Sequence, residues 1–126
     1  KAGIDAGVPF LMVSHNVIDD YDKGVPASLS QKLHNYICKD MGYDGIILCD
    51  GLGMSGVRDY VGGDKGEVAV RAVMAGNDML CATDVGVQLR AIVKAVKDGR
   101  IELSQIEDSV TRILMTKINY GLIEKE

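Results

Sequence analysis

Gly45-Ile46-Ile47-Leu48-Cys49-Asp50-Gly51-Leu52-Gly53-Met54 is the stretch whose reading decides the fold. Four consecutive apolar residues, Ile46 to Cys49, run into a carboxylate and then into a glycine-interrupted loop. An apolar run without polar alternation is the pattern of a parallel strand covered on both faces. Such a strand has no solvent face on which a carboxylate can rest, so Asp50 at its end points into the crevice that the strand ends line. In open α/β sheets and in β/α barrels alike, that crevice is where ligands bind. A competing reading makes Asp50 a carboxylate that caps a turn or the next helix, and position alone does not separate the two.

Upstream, Val8 to Val13 is another apolar run, and it ends in Ser14-His15, a polar exit like that of Asp50. The loop Asn16 to Ala27 carries Asp19, Asp20, Asp22, Gly24 and Pro26 and is too polar and broken to form an element of its own. Its aspartates lack the glycine and terminal glutamate of a calcium loop and read as a solvated loop. A helix follows, capped by Ser28 or Ser30, with Leu33, Tyr36, Ile37 and Met41 as its buried stripe and Gly42 as its stop. His34 lies beside that stripe and is expected at the surface. Lys1 to Gly7 reads as the tail of a helix with a glycine stop, so the chain is expected to begin inside a longer protein.

Downstream, Gly51 to Asp64 is a loop with five glycines, and Lys65 opens a helix with Val68, Ala69, Ala72 and Val73 inward and Gly76 as its stop. Asp78 to Ala82 is a third strand that exits into Thr83 and Asp84. Val85, Leu89, Ile92, Val93 and Val96 mark an amphipathic helix that stops at Asp98-Gly99. A final helix opens near Ser104 and presents Ile106, Val110, Ile113, Leu114 and Ile118.

The strand exits fall at His15, Asp50 and Thr83, 35 and then 33 residues apart, the repeat of consecutive strand-helix units. Strands joined by helices are parallel with right-handed crossovers, so all three exits share one edge of the sheet. Three strands cannot close a barrel. A complete eight-fold barrel needs about 250 residues, so the chain has the size of half of one.

With 126 residues, 47% of them apolar and 25% charged, the composition is that of a globular domain or part of one. A net charge of −4 and scattered Lys and Arg give no basic field for nucleic acid, and no apolar run approaches the roughly 18 residues of a membrane span. Cys38, Cys49 and Cys81 are odd in number and lack zinc-like spacing; they read as buried free thiols, which suits a reducing, cytoplasmic compartment without excluding a secreted one. No metal or cofactor is implied. Gly51-x-Gly53-x-x-Gly56 matches the dinucleotide fingerprint in form. Against it stand the negative charge of Asp50 beside the pyrophosphate, the poor helix sequence from Arg58 to Gly63, a strand that precedes what should be the first, and an Asp84 too distant to meet the ribose.

Several runs, taken together and in order, resemble the C-terminal half of the catalytic barrel of glycoside hydrolase family 3. They are Phe10-Leu11-Met12-Val13-Ser14-His15, Pro26-Ala27-Ser28-Leu29-Ser30, Met41-Gly42-Tyr43-Asp44-Gly45 and Cys49-Asp50-Gly51-Leu52-Gly53-Met54. Ala72 to Leu80 and Ser109 to Leu114 resemble that family's last strand and closing helix. The bacterial β-N-acetylglucosaminidase branch is the most similar, with the β-glucosidase branch next.

The resemblance implies an α/β fold that is part of a (β/α)8 barrel, residues 1–126 supplying its sixth to eighth strands. It further implies retaining hydrolysis of terminal β-linked N-acetylglucosamine, with Asp50 as nucleophile, His15 lining the sugar subsite and Met54 packed against it. The acid/base histidine of that branch sits on a loop after the fifth strand, a loop expected before Lys1. Gly51 departs from the family, which commonly has Asp or Ala there. These 126 residues alone are therefore expected to be inactive, and to self-associate through an uncovered sheet face.

Overall fold

The computed structural model describes residues 1–124. Its elements are α1 (Ala2–Asp5), β1 (Phe10–Val13), a 3-10 turn (Ala27–Leu29), α2 (Gln31–Asn35), β2 (Ile46–Cys49), α3 (Ser55–Tyr60), α4 (Lys65–Ala75), β3 (Met79–Leu80), α5 (Val85–Lys97) and α6 (Leu103–Asn119). The strands form one parallel sheet in the order β1-β2-β3, with Met12 opposite Leu48 and Leu48 opposite Met79. Successive side chains alternate across the sheet. Val13, Ile47 and Cys49 are buried on the face that carries the helices, whereas Phe10, Met12 and Met79 are exposed on the other.

Three apolar clusters fill the helical side. Val13, Ile47, Leu33, Ile37 and Tyr43 join β1, β2 and the helix between them. Cys49, Leu52, Val57, Val68, Ala69 and Ala72 join β2 to α3 and α4, and Val70, Val73, Ala95 and Ile101 join α4 to α5 and the turn after it. The approach of α4 to α5 depends on Gly66, where a Cβ would stand 2.8 Å from that of Ala91. Tyr43 lies over Gly45 and donates its hydroxyl to the Ile46 carbonyl at 3.2 Å, a fit that a Cβ at Gly45 would block, 2.6 Å from Tyr43 Cζ.

The structure corrects several expectations. Ser30, not Ser28, caps α2, its hydroxyl accepting from the Leu33 amide at 3.1 Å. The helix then widens into a π turn over Tyr36–Asp40, closed by Met41 N–H donating to the Tyr36 carbonyl. His34 is 3% exposed, because Gly76 at φ +114° ends α4 without a side chain and leaves room for the imidazole. Cys38 is exposed on the outer side of the π turn, whereas Cys49 is buried. Of the stripe expected along α5, Ile92 and Val96 reach the core beside Ala91 and Ala95, whereas Val85, Leu89 and Val93 are exposed. The loop after β2 contains α3, and the loop after β1 is tied by a Val17–Pro26 bridge. Asp19 and Asp22 work within that loop, accepting from Gly24 N–H and the Ser30 hydroxyl. Hydrogen bonding from Ser30 and the nearby Lys32 ammonium hold the Asp22 carboxyl below the usual aspartate value.

At the N-terminal end of the sheet sits Asp78, its side chain 1% exposed. One carboxylate oxygen accepts from Ile47 N–H at 2.9 Å; the other accepts from Ser109 Oγ at 2.7 Å and pairs with Arg112. On the surface, Glu67 receives both Arg100 guanidinium nitrogens at 2.9 and 3.0 Å and Arg71 Nε at 3.0 Å, which holds its carboxyl below the ordinary value.

Two outcomes are expected. Arg112→Met strands the Asp78 charge and costs about 3 kcal/mol, the low end for breaking a buried pair because the guanidinium is 37% exposed; urea midpoints measure it. The Glu67 contribution is full above the unfolded carboxyl value of 4.5 and fades as pH falls through the lowered folded value, so Glu67→Gln removes about 0.5–1 kcal/mol at pH 7 and progressively less in acid.

Candidate active site

The C-terminal edge of the sheet gathers the residues singled out in the sequence. Asp50 N–H donates to the Val13 carbonyl at 3.1 Å, so the residue after β2 is still laddered to β1. The alternation of β2 carries its side chain to the side of Leu48, away from the helices. There Asp50 Oδ1 accepts from Gly51 N–H at 2.7 Å. Asp50 has no ion-pair partner among the described residues.

His15, two residues past β1, reaches across to the same loop. Its Nε2 lies 3.0 Å from the Gly51 carbonyl, and its Nδ1 lies 2.6 Å from Ser28 Oγ. A carbonyl only accepts, so Nε2 carries the proton; in the neutral ring Nδ1 then accepts from the Ser28 hydroxyl. The Gly51 carbonyl also accepts from Met54 N–H at 3.1 Å, closing a turn over 51–54 that leads into α3. Met54 is exposed at the mouth of this edge. The loop also meets the third strand exit: Leu52 N–H donates to the Cys81 carbonyl, and Gly53 approaches Thr83 so closely that a Cβ would lie 2.8 Å from Thr83 Cγ2.

Ser28 was legible in the sequence only as a possible cap. Its hydroxyl is fully buried under His15, its N–H donates to the Ser14 carbonyl and its carbonyl accepts from Asn77 Nδ2 at 2.8 Å. The second serine two residues on was the available signal, since one helix start needs only one cap. Beside Ser28, burial pushes the Cys49 thiol up to about 12, with Ser28 pulling weakly the other way.

The Gly51-x-Gly53-x-x-Gly56 loop does not take the dinucleotide form, although the poor helix sequence held against it does form a helix from Ser55. That helix has six residues, and none of the three glycines adopts a positive φ. Gly53 is required by its approach to Thr83, not by a phosphate.

The glycosyl hydrolase family 3 N-terminal domain matches residues 1–116. The chain belongs to this family. A β-N-acetylglucosaminidase/β-glucosidase from Cellulomonas fimi is 28% identical over 97% of the chain and 23% of its own length. The structure of a family 3 β-N-acetylglucosaminidase from Paenibacillus sp. str. FPU-7 superposes with a TM-score of 0.87 at 31% identity, covering 98% of this chain and 24% of that one. A β-N-acetylhexosaminidase from Beutenbergia cavernae gives 0.79 at 26% identity, over 92% and 35%. The chain thus spans a quarter to a third of these relatives. Its α/β sheet with alternating helices is part of the family's (β/α)8 barrel.

The environments of the thiols predict their chemistry. In native protein treated with a small alkylating agent, Cys38 is labelled and Cys49 is not, and peptide mass spectrometry finds Cys49 modified only after denaturation.

Proposed function

We propose that residues 1–126 are the C-terminal portion of a family 3 catalytic barrel whose reaction is retaining hydrolysis of terminal β-linked N-acetylglucosamine. The observation that carries this reading is the placement of Asp50 at the C-terminal end of a central barrel strand, on the side away from the helices, with its carboxylate fixed by one backbone N–H. One oxygen is thereby occupied, and the other is left to attack.

In the first step Asp50 attacks the anomeric carbon, the bond to the leaving oxygen breaks, and that oxygen takes a proton from an acid outside these residues. In the second, water displaces Asp50 and gives its proton back to the same group, now acting as base. Retention requires the two groups about 5 to 5.5 Å apart. His15 and Met54 flank the sugar position at the same edge. The names of the Cellulomonas and Paenibacillus relatives support N-acetylglucosamine as the sugar. The Cellulomonas name also carries β-glucosidase, so β-glucosides are the second substrate class to assay.

In the complete barrel, Asp50→Ala lowers turnover of an aryl β-N-acetylglucosaminide by several orders of magnitude with an unchanged circular dichroism spectrum. A 2-fluoro glycoside, which slows breakdown of the intermediate, leaves one sugar on the Asp50 peptide in mass spectrometry. Normal turnover by Asp50→Ala, or a label elsewhere, would refute the assignment. The isolated 126 residues show no turnover, and they sediment as oligomers through the face bearing Phe10, Met12 and Met79; a stable monomer would count against that reading of the exposed face.

A further inference from the structure

We infer that His15 is a positioning residue for the nucleophile, its ring oriented by Ser28, and that it acts on Asp50 through the Gly51 carbonyl. The inference rests on the reading of Asp50 as nucleophile and says how that carboxylate is aimed.

Asp50 is fixed by the amide of the next residue, and that residue is a glycine. Glycine has the widest choice of φ and ψ, so nothing intrinsic to Gly51 settles where its N–H points. External bonds to the flanking peptides must do so. On one side the Asp50 N–H is laddered to Val13. On the other, the Gly51 carbonyl takes two donors, Met54 N–H at 3.1 Å and His15 Nε2–H at 3.0 Å. The Met54 bond closes a local turn that moves with the loop. His15 alone ties that carbonyl to a different strand, which converts a flexible glycine into a fixed support.

The Gly51 carbonyl sets the tautomer and Ser28 holds the ring. An imidazole exchanges its two neutral tautomers readily, and the Nδ1–H form would present a lone pair to the Gly51 carbonyl and repel it. With the proton on Nε2, the Ser28 hydroxyl, 2.6 Å from Nδ1, donates to that nitrogen and fixes the plane of the ring. Ser28 is itself pinned on three sides. Its N–H is bound to Ser14, its carbonyl to Asn77, and its side chain is fully buried. The chain Asn77–Ser28–His15–Gly51–Asp50 therefore runs from the segment before β3, past the exit of β1, to the carboxylate after β2. With both ring nitrogens engaged, His15 has none left for a sugar hydroxyl and meets the substrate only by its carbon edge.

The test uses the complete barrel. His15→Leu removes the donor; His15→Gln places an amide N–H near the position of Nε2; Ser28→Ala leaves the ring and removes the hydroxyl that holds its orientation. A carboxylate misplaced by about 1 Å costs up to about 100-fold in rate. His15→Leu and Ser28→Ala are accordingly expected to lower kcat by about 10- to 100-fold with KM within twofold of the parent, and His15→Gln to recover most of the loss. Nitrogen-15 spectra of the ring, assigned by the signal missing in His15→Gln, are expected to show protonated Nε2 and unprotonated Nδ1, with the Nδ1 signal shifted in Ser28→Ala by loss of the hydroxyl's hydrogen bond. A raised KM at unchanged kcat in both His15 variants would make His15 a sugar ligand and overturn the inference, as would normal turnover by Ser28→Ala or a proton on Nδ1. If Asp50→Ala is fully active, the nucleophile assignment itself falls; an inactive Asp50→Ala beside an active His15→Leu removes only the positioning role.

Discussion

A parallel strand pair has no hairpin to set its register, and here one carboxylate shares that task with the packing of the core. Asp78 clasps Ile47 from both directions. Its own N–H donates to the Ile47 carbonyl at 2.8 Å, and its Oδ2 accepts from the Ile47 N–H at 2.9 Å. The clasp fixes Leu48 opposite Met79 and Cys49 opposite Leu80. Ser109 and Arg112 take the other oxygen, so α6 is anchored by the group that aligns the strands. A buried charge is costly when partners are missing, and this one has a backbone amide, a hydroxyl and a guanidinium.

The opposite end is organised differently. Beyond Cys49 the backbone bonds continue, through Asp50 to Val13 and Leu52 to Cys81, and His15 is held at both ring nitrogens, but the Asp50 carboxylate is tied lightly. Asp50 has one bond, to its neighbouring amide, and it lacks a cation among the described residues. This division between a stabilising N-terminal end and a chemically available C-terminal end is the one expected of β/α barrels. It follows from burial: a strand covered on both faces can present polar groups only at its ends, and a group already saturated by structural bonds has nothing to offer a substrate.

The fold was legible in the sequence where a residue's own chemistry determined it. The apolar run Ile46 to Cys49, the Lys65-to-Gly76 span of α4 and the near-equal spacing of the exits all read directly. The misread features depend on what a neighbour lacks. His34 is buried because Gly76 has no side chain, and α5 leaves Val85, Leu89 and Val93 exposed because α4 packs against its Ala91, Ile92, Ala95 and Val96 side instead. The same holds at the site. Asp50 announces itself by following four apolar residues, whereas Ser28 is unremarkable until a histidine 13 positions earlier is folded onto it. A hydrogen bond between residues far apart in the chain leaves no mark on the periodicity of either segment.

The register set by Asp78 has a further consequence for Asp50. Side chains alternate across a strand with a period of two, so slipping β2 by one residue would exchange its faces. Cys49, now sealed among Leu52, Val57 and Val68, would turn toward the cleft, and Asp50 would be driven into that apolar cluster. The thiol is a poor nucleophile there because burial keeps it protonated, and a carboxylate in its place would face the full cost of desolvation. Correct register is therefore strongly favoured by packing alone, and the Asp78 clasp adds to that preference from the far end of the strand. The proposed nucleophile follows one end of a four-residue strand and the aligning carboxylate clasps the other, so alignment at one end bears on geometry at the other.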